Sequence, residues 1–206
     1  SLISLSPSSS DPNVFFELDG DGYEISGLDI TVDDTDDIDA IAIFGYINAS
    51  SVISKVTFSD CTVNIGNKSV AAAAVVAVQN FGTITNCIFT NLTVDLTSTV
   101  SDSTNGLFTD ESILLSSHTV YSGISAVAAD NKGTITSSQA SGITIKLIND
   151  RRYVGAIAGQ NRYVISDITE NTVVIHSYGS YESSGTTSGF TEVPTGNGDV
   201  SKYVGS

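Results

Sequence analysis

Apolar and polar residues alternate along most of the chain in short stretches that repeat. Residues 156–165 (AIAGQNRYVI) have close copies at 75–84 (VVAVQNFGTI) and 126–135 (AVAADNKGTI), and a looser copy with one extra residue at 43–53 (IFGYINASSVI). Each copy predicts a short apolar strand, an Asn with a turn, and a second strand. The isoleucines that share one place in this second strand are Ile53, Ile84, Ile135 and Ile165. The chain is therefore interpreted as a repeat protein.

The alternation continues beyond each turn, in residues 56–65, 87–96, 138–147 and 168–177. Apolar residues recur there at aligned places, separated by Thr, Ser, Asn and Asp. The aligned sets are Val56, Cys87 and Ile168, then Cys61, Leu92, Ile143 and Val173, then Val63, Val94, Ile145 and Ile175. A period of two is typical of strands with one buried face. One repeat is thus expected to contribute two or three short strands within about 30 residues, the size of one solenoid coil.

These repeats predict an all-β fold, a parallel β-solenoid of about four to six coils that bury their apolar faces by stacking. A β-sandwich is the alternative, but it needs longer strands joined by hairpin turns such as Asn-Gly, and that signal is poor here. Residues 1–13 (SLISLSPSSSDPN) are rich in Ser and Pro and predict a linker or amino-terminal arm. Residues 14–206 are expected to form a single solenoid domain that continues into further repeats or another subunit.

Two stretches of the chain carry a resemblance to a known family. Residues 154–161 (VGAIAGQN) resemble the core of the GLUG repeat, which is found in bacterial surface proteins and in immunoglobulin A-cleaving metallopeptidases. Residues 18–28 (LDGDGYEISGL), followed by 43–46 (IFGY), resemble the opening of the same pattern. Val78 and Ala129 stand where the family has its second Gly. The resemblance implies a right-handed parallel β-helix in a surface or secreted protein.

Composition narrows the classes of partner. The 206 residues include 8 Lys plus Arg against 23 Asp plus Glu, which gives a net charge of −15. Such a charge argues against nucleic acid as a partner, because phosphates require a basic surface. No run of apolar residues is long enough to predict insertion into a membrane. The wealth of Ser and Thr, and the absence of Met and Trp, favour an extracellular or cell-surface location, with the chain starting inside a longer precursor or after processing.

The segments that differ between repeats all fall at one predicted corner of the coil: residues 32–39, 66–70, 97–123 and 177–201. Because coils stack in register, insertions at one corner emerge along one edge, where such scaffolds carry their binding surface. The last segment is rich in Tyr, Ser, Gly and Thr, a composition typical of recognition loops. The candidate ligand-binding residues are Phe108, Tyr121, Tyr178, Tyr181 and Phe190. The alternative is that these aromatic side chains cover their own loops.

The two ends of the chain differ in charge. Residues 1–40 hold 11 acidic side chains and no Lys or Arg, whereas six of the eight basic residues fall at or beyond Lys132. Residues 202–206 (KYVGS) match 152–156 (RYVGA), so they predict the beginning of another coil, completed by further repeats or by another subunit. The asymmetry favours head-to-tail contact, which builds open filaments. The residues assigned to this contact are Asp33, Asp34, Asp36, Asp37, Lys202 and Tyr203.

Calcium is the one cofactor that the sequence leaves open. The acidic candidates are Asp19 and Asp21, in a Gly-rich turn, and Asp36, Asp37 and Asp39, in an acidic run. The Gly-rich turn lacks the terminal Glu and further oxygen ligands of a full calcium loop, and most acidic runs are simply solvated. A plain turn and a solvated acidic loop are therefore the preferred interpretations.

Two cysteines and three sequons complete the candidate sites. Cys61 and Cys87 lie on neighbouring coils at different registers, which predicts buried free thiols, with a disulfide as the alternative. Asn48, Asn67 and Asn91 are candidate glycosylation sites if the host glycosylates secreted chains.

Catalysis has little support, because His118 and His176 are isolated and no nucleophile is framed by a signature. The first hypothesis is a non-catalytic adhesin that presents loops to a glycan or protein ligand. The second is a structural subunit that assembles head to tail into a filament or surface layer. A carbohydrate-active enzyme is the third. Repeated threonines also raise ice binding, but that array breaks at Val164.

Overall fold

The chain forms strands without helices throughout the part that the structure describes. A computed structural model describes residues 16–32, 40–65, 70, 72–96, 112–115, 118–121, 123–148, 153–179 and 189–194. The strands are β1 (Glu17–Asp19), β2 (Glu24–Ser26), β3 (Asp29–Val32), β4 (Ala40–Ile41), β5 (Phe44–Ile47), β6 (Val52–Ser54), β7 (Thr57–Ser59), β8 (Thr62–Ile65), β9 (Ala72–Ala74), β10 (Ala77–Asn80), β11 (Thr83–Thr85), β12 (Ile88–Thr90), β13 (Thr93–Asp95), β14 (Ser112–Leu115), β15 (His118–Tyr121), β16 (Gly123–Ser125), β17 (Ala128–Asn131), β18 (Thr134–Ile148), β19 (Tyr153–Gly155), β20 (Ala158–Asn161), β21 (Val164–Gly179) and β22 (Gly189–Pro194).

Parallel stacking of corresponding strands makes the fold a β-solenoid, as the repeats predict. It has about three turns. In the largest sheet β1, β6, β11, β18 and β21 lie one above the other. Two four-stranded sheets complete the wall, β4-β9-β16-β19 and β5-β10-β17-β20. The predicted isoleucine column is confirmed, and Leu18 extends it: Leu18, Ile53, Ile84, Ile135 and Ile165 are successive register partners.

Single residues in the left-handed region make two of the corners. Lys55, Asn86, Ser137 and Asp167 occupy one corner with φ between 51° and 53°, and Asp60, Asn91, Gly142 and Thr172 occupy the next with φ between 50° and 65°. Each such residue interrupts the alternation of the two faces, so the strand can change direction within one position. In one coil these two corners separate β11, β12 and β13; with β9 and β10 that coil contains five strands, where the sequence predicted two or three.

The interior is filled by columns of identical or similar side chains. Phe58 and Phe89 are fully buried register partners whose rings stack with centroids 5.9 Å apart. One predicted column is confirmed by register: Val63 pairs with Val94, Val94 with Ile145, and Ile145 with Ile175. Because each side chain packs on its counterpart in the next coil, burial depends on stacking and not on a single coil.

The two four-stranded sheets approach each other closely through small residues. The buried residues Ala72, Ala74, Val78 and Ala129 form one apolar cluster between them. A Cβ on Gly123 would lie 2.2 Å from the carbonyl oxygen of Ala129, so this contact requires glycine. Small residues on the facing strand therefore accommodate Val78 and Ala129, which stand where the resemblance puts glycine.

An asparagine ladder closes the turn after β10, β17 and β20. Asn80 Nδ2 donates to Asn131 Oδ1 at 2.8 Å, and Asn131 Nδ2 donates to Asn161 Oδ1 at 2.7 Å. The ladder stops below Asn80, because Ile47 occupies the same column. Asn48 lies one position later, as expected from the extra residue in that copy.

Candidate functional site

Two antiparallel pairings occur among the described strands, β14 with β15 and β21 with β22. Asp95 at the end of β13 aligns with Lys146 of β18, which aligns with His176 of β21. Later in the chain β14 and β15 pair as an antiparallel hairpin that contacts β17, and β22 returns antiparallel along β21 between Val174 and Gly179. We call the paired part of β21 and β22 the insertion edge. Antiparallel strands here interrupt a fold that is otherwise parallel.

The structure brings two of the five predicted ligand-binding residues together. Tyr178 of β21 and Phe190 of β22 are direct register partners. Tyr121 lies on β15, opposite Ser112, and β15 lies against β17. Phe108 and Tyr181 lie outside the described residues. Tyr178 and Phe190 are therefore directly opposed positions on two antiparallel strands, the arrangement in which cross-strand pairs interact.

A charged and aromatic cluster on the β5-β10-β17-β20 sheet was not foreseen from the sequence. Asp130 is fully buried, lies 3.3 Å from Lys132 Nζ and accepts a hydrogen bond of 2.9 Å from Gln79. Lys132 also lies over the ring of Phe81, with Nζ 5.0 Å from its centroid. The aligned repeats contained a signal for this cluster, because Gln79, Asp130 and Gln160 each immediately precede an asparagine of the ladder. Because the carboxylate of Asp130 at its centre is buried, this cluster belongs to the wall of the solenoid.

The final described coil, β19 to β21, has no described strand stacked on its outer side before Val174. Strands β19 and β20 each have one partner strand, β16 and β17, on the side of the preceding coil. On β21 the stretch before Val174 pairs only with β18 among the described strands. Tyr153, Tyr163 and Val164 are exposed by 39%, 66% and 41%, which leaves apolar surface at this end.

The first described coil, β1 to β3, has no described strand on the opposite side. Its strands pair only with β6, β7 and β8 within the described part of the chain. The side chains of Phe16, Leu18, Ile25 and Leu28 are partly buried at this end of the core. The residues predicted to make the end contact, Asp33, Asp34, Asp36, Asp37, Lys202 and Tyr203, lie outside the described residues.

Glu170 occupies a core column of the final described coil. Phe58, Phe89, Ala140 and Glu170 are successive register partners, and the first three are buried. The Oε1 atom of Glu170 is buried and receives no hydrogen bond from any described residue. Burial raises the pKa of this carboxyl. The alignment contained the signal, since Glu170 follows two phenylalanines at the same place in the repeat.

The calcium candidates that the structure describes belong to a turn held by other contacts. Asp19 Oδ2 lies 3.0 Å from Lys55 Nζ, and Asp19 Oδ1 accepts a hydrogen bond from the backbone N–H of Asp21. The hydrogen bond from Lys55 lowers the pKa of Asp19. Across the described segments no group of three His, Cys, Asp or Glu side chains could hold a metal ion. Asp36, Asp37 and Asp39 lie outside these segments.

Both cysteines are free, buried thiols, as preferred from the sequence. They belong to different columns, because Cys61 is level with Leu92 while Cys87 is level with Val56. Each thiol donates to a nearby carbonyl: Cys61 Sγ lies 3.1 Å from Ser59 O, and Cys87 Sγ lies 3.3 Å from Thr85 O. Burial raises the pKa of both thiols, which keeps them in the less reactive protonated form.

Two of the three candidate glycosylation sites are described. Asn48 is partly buried in its turn, where its Oδ1 accepts a hydrogen bond from the N–H of Ser50. Asn91 is exposed, and its Nδ2 donates to Asp60 at 2.9 Å. Asn67 lies outside the described residues. A glycan on Asn91 would have to replace that hydrogen bond.

No family model, curated protein or solved structure matches this chain significantly. The resemblance to the GLUG repeat therefore stays a prediction. None of the described segments forms a helix with the length and hydrophobicity needed to cross a membrane.

Proposed function

We propose that this chain is an extracellular surface repeat module that acts without catalysis and presents a glycan or protein ligand surface along the insertion edge. In this proposal the solenoid is right-handed, as parallel crossovers almost always are, and its about four to six coils carry their insertions at one corner. Neither nucleic acid nor a membrane interior is a partner, in keeping with the acidic composition.

The register pair of Tyr178 and Phe190 is the observation that supports this proposal most directly. The pair joins β21 to β22, an antiparallel addition that the stacking of the coils does not require. Aromatic side chains offer a large contact area for a small loss of conformational entropy, which suits them to binding surfaces. A rigid solenoid below them holds the backbone of β21 in a fixed register.

The test is binding of fluorescent protein to an array of defined glycans and immobilised matrix proteins. Binding by the Tyr178→Ala/Phe190→Ala double variant should fall about tenfold or more, because truncation of each aromatic anchor costs about 1 kcal/mol of binding free energy. Tyr23→Ala is the matched control, since Tyr23 is 79% exposed on the first described coil and lies outside the insertion edge. Equal binding by wild type and the double variant would remove this edge as the site.

End-to-end assembly is the second candidate function, and the open edges of the first and final described coils favour it. A sheet edge with unpaired N–H and C=O groups is a template for another strand. Contact between unlike ends of a rod is heterologous and builds filaments, which would make the protein a structural subunit of a fibre or surface layer.

A further inference from the structure

We propose that Glu170 is a pH-sensitive guard of the open edge: while ionised, its inward-pointing carboxylate prevents a second copy of this chain from stacking on the final described coil. This inference rests on the second candidate function, end-to-end assembly, and adds its regulation. It concerns the contact between β21 of one copy and β1 and β2 of the next.

The docking surface is the part of β21 that β22 leaves uncovered. β22 occupies the edge from Val174 onward, whereas the stretch from Val164 to Val173 has no described partner beyond β18. Exposed Tyr163 and Val164 begin this stretch, and half-buried Ile165 and Ile168 continue the core columns to the surface. A further strand laid on this edge would cover apolar side chains and satisfy backbone groups together.

The occupant is a second copy, because its first described coil has the matching columns. β1 belongs to the same stack as residues 164–166, and Leu18 shares the column of Ile165. β2 belongs to the stack of residues 169–171, and Ile25 shares the column of Glu170. Charge agrees with this placement, because exposed Glu17 precedes Leu18, while exposed Arg162 lies two residues before Val164.

Stacking would place Ile25 of the second copy directly above Glu170. The carboxylate would then lie between Ile25 and Ala140, with no hydrogen-bond donor among the described residues to replace water. An ionised carboxylate without a partner is strongly disfavoured in such a position, whereas a protonated one is tolerated far better. Inward-pointing charges on sheet edges are a known means of preventing edge-to-edge association.

Nothing described around Glu170 offers a compensating charge. The inward positions next to it on β21 are Ile168 and Val173, and those on β18 are Ser138, Ala140 and Ile143. The other titratable groups in the inward columns of this sheet are the thiols of Cys61 and Cys87, which lie in different columns on lower coils. Arg162 and Asp167, on the same coil, are exposed. Burial alone already raises the pKa of Glu170, and stacking would raise it further.

The direction of the pH effect follows from that shift. A raised pKa means that the folded, and still more the stacked, protein favours the protonated carboxyl. The barrier to stacking is therefore absent at low pH and appears as the pH rises through the raised pKa.

The decisive experiment compares Glu170→Gln with Asp167→Asn at neutral pH, using sedimentation velocity and electron microscopy on the full chain. Both substitutions change a carboxylate to an amide on β21, but Asp167 is an exposed corner residue. Glu170→Gln should associate end to end at a concentration about tenfold or more below that of wild type, since one pKa unit of charge burial corresponds to a factor of ten. Asp167→Asn should behave as wild type. Wild type should reach the behaviour of Glu170→Gln as the pH is lowered.

A second pair of variants shows whether association uses the proposed end. In the Glu170→Gln background, Val164→Asp places a carboxylate opposite the acidic β1 of the next copy and should reverse the association. Ile88→Asp introduces the same charge on β12, at a residue of similar exposure, 40% against 41%, and should leave it unchanged. Thermal unfolding of each variant confirms that it is folded.

The outcomes separate the guard from the assembly itself. If wild type and Glu170→Gln associate equally at neutral pH and Val164→Asp weakens the association of both, the proposed role of Glu170 is wrong and end-to-end assembly is retained. If Asp167→Asn associates as Glu170→Gln does, the loss of net negative charge and not of the buried carboxylate causes the association, and the proposed role of Glu170 is again wrong. If folded Glu170→Gln and acidified wild type both stay monomeric, end-to-end assembly is overturned and the guard with it.

Discussion

At the scale of single residues, the corners depend on a conformation that most side chains disfavour. Gly142 and Thr172 occupy the same corner on successive coils, with φ of 65° and 55°. Glycine adopts this region without strain, whereas an L-residue loses roughly 1–2 kcal/mol and a β-branched side chain is an outlier. Stacking therefore holds Thr172 in a conformation that its own side chain opposes.

Replacing Thr172 with Gly should consequently stabilise the protein by about 0.5–1 kcal/mol, because relief of the left-handed strain exceeds the extra entropy of glycine in the unfolded chain. The control is Thr169→Gly on the same strand. Thr169 is also exposed but has ordinary strand geometry, so its replacement should destabilise by about 0.5–1 kcal/mol. Urea unfolding of both variants gives the comparison. A loss of stability in Thr172→Gly would show that the Thr side chain makes a favourable contact that outweighs the strain.

At the scale of the element, the asparagine ladder fixes the turn between β17 and β18. Asn131 is fully buried and uses both ends of its amide: it accepts from Asn80 and donates to Asn161 and to the carbonyl of Gly133. Asn161, at the open end, is only partly buried and donates to the carbonyl of Tyr163. The same residue type thus has two different environments along one ladder.

Asn131→Asp should destabilise the protein by about 3 kcal/mol or more, since it replaces two donated hydrogen bonds with contacts between oxygen atoms and buries a charge. Asn161→Asp should cost about 1 kcal/mol, because it loses only the exposed hydrogen bond to the carbonyl of Tyr163, while its oxygen continues to accept from Asn131 and its charge reaches solvent. Equilibrium unfolding in denaturant measures both changes. Equal losses for the two variants would mean that the inner rungs of the ladder are no more important than its end.

The sequence predicts best those strands in which apolar and polar residues alternate and the same alternation recurs in the neighbouring coils. The column of Ile84 and that of Val94 could be read directly because neighbouring coils repeat both the type of residue and the spacing. The bend between β9 and β10 could not be predicted, because residues 71–79 (AAAAVVAVQ) are almost continuously apolar and no break in the alternation of apolar and polar residues marks it. The structure is needed to see that the two four-stranded sheets pack against each other through Ala74 and Val78.

The candidate site was predictable only in part, for a related reason. Tyr178 and Phe190 were identified by composition, but their pairing depends on the antiparallel return of β22, which has no counterpart in the repeat. Glu170 was overlooked although its aligned neighbours, Phe58 and Phe89, imply an inward position. A polar residue in a Thr- and Asn-rich stretch is ordinarily assigned to the outer face, and the alignment alone indicates otherwise.

At the scale of the whole molecule, like charges oppose the compact state. A net charge of −15 is spread over a structure in which few ion pairs are described, one of them between Lys146 and Asp95 at 2.8 Å. The acidic residues of β1 to β3 lie on one coil, where Glu17, Asp19 and Glu24 are all exposed. Repulsion between exposed charges acts over about 10 Å at moderate salt and is weakened as salt is added.

The melting temperature should therefore rise with sodium chloride, by a few degrees between low and moderate ionic strength, because screening relieves repulsion in the folded state more than in the expanded one. Calcium chloride at equal ionic strength should give a similar rise if the acidic residues act only as a diffuse charge. Asp19 supports that expectation, since its carboxylate is already engaged by Lys55 and by the N–H of Asp21. A rise that saturates at low calcium concentration would instead indicate a specific site. If Asp19→Asn left that rise intact and Asp36→Asn/Asp37→Asn abolished it, the site would lie in the acidic run and not in the described turn.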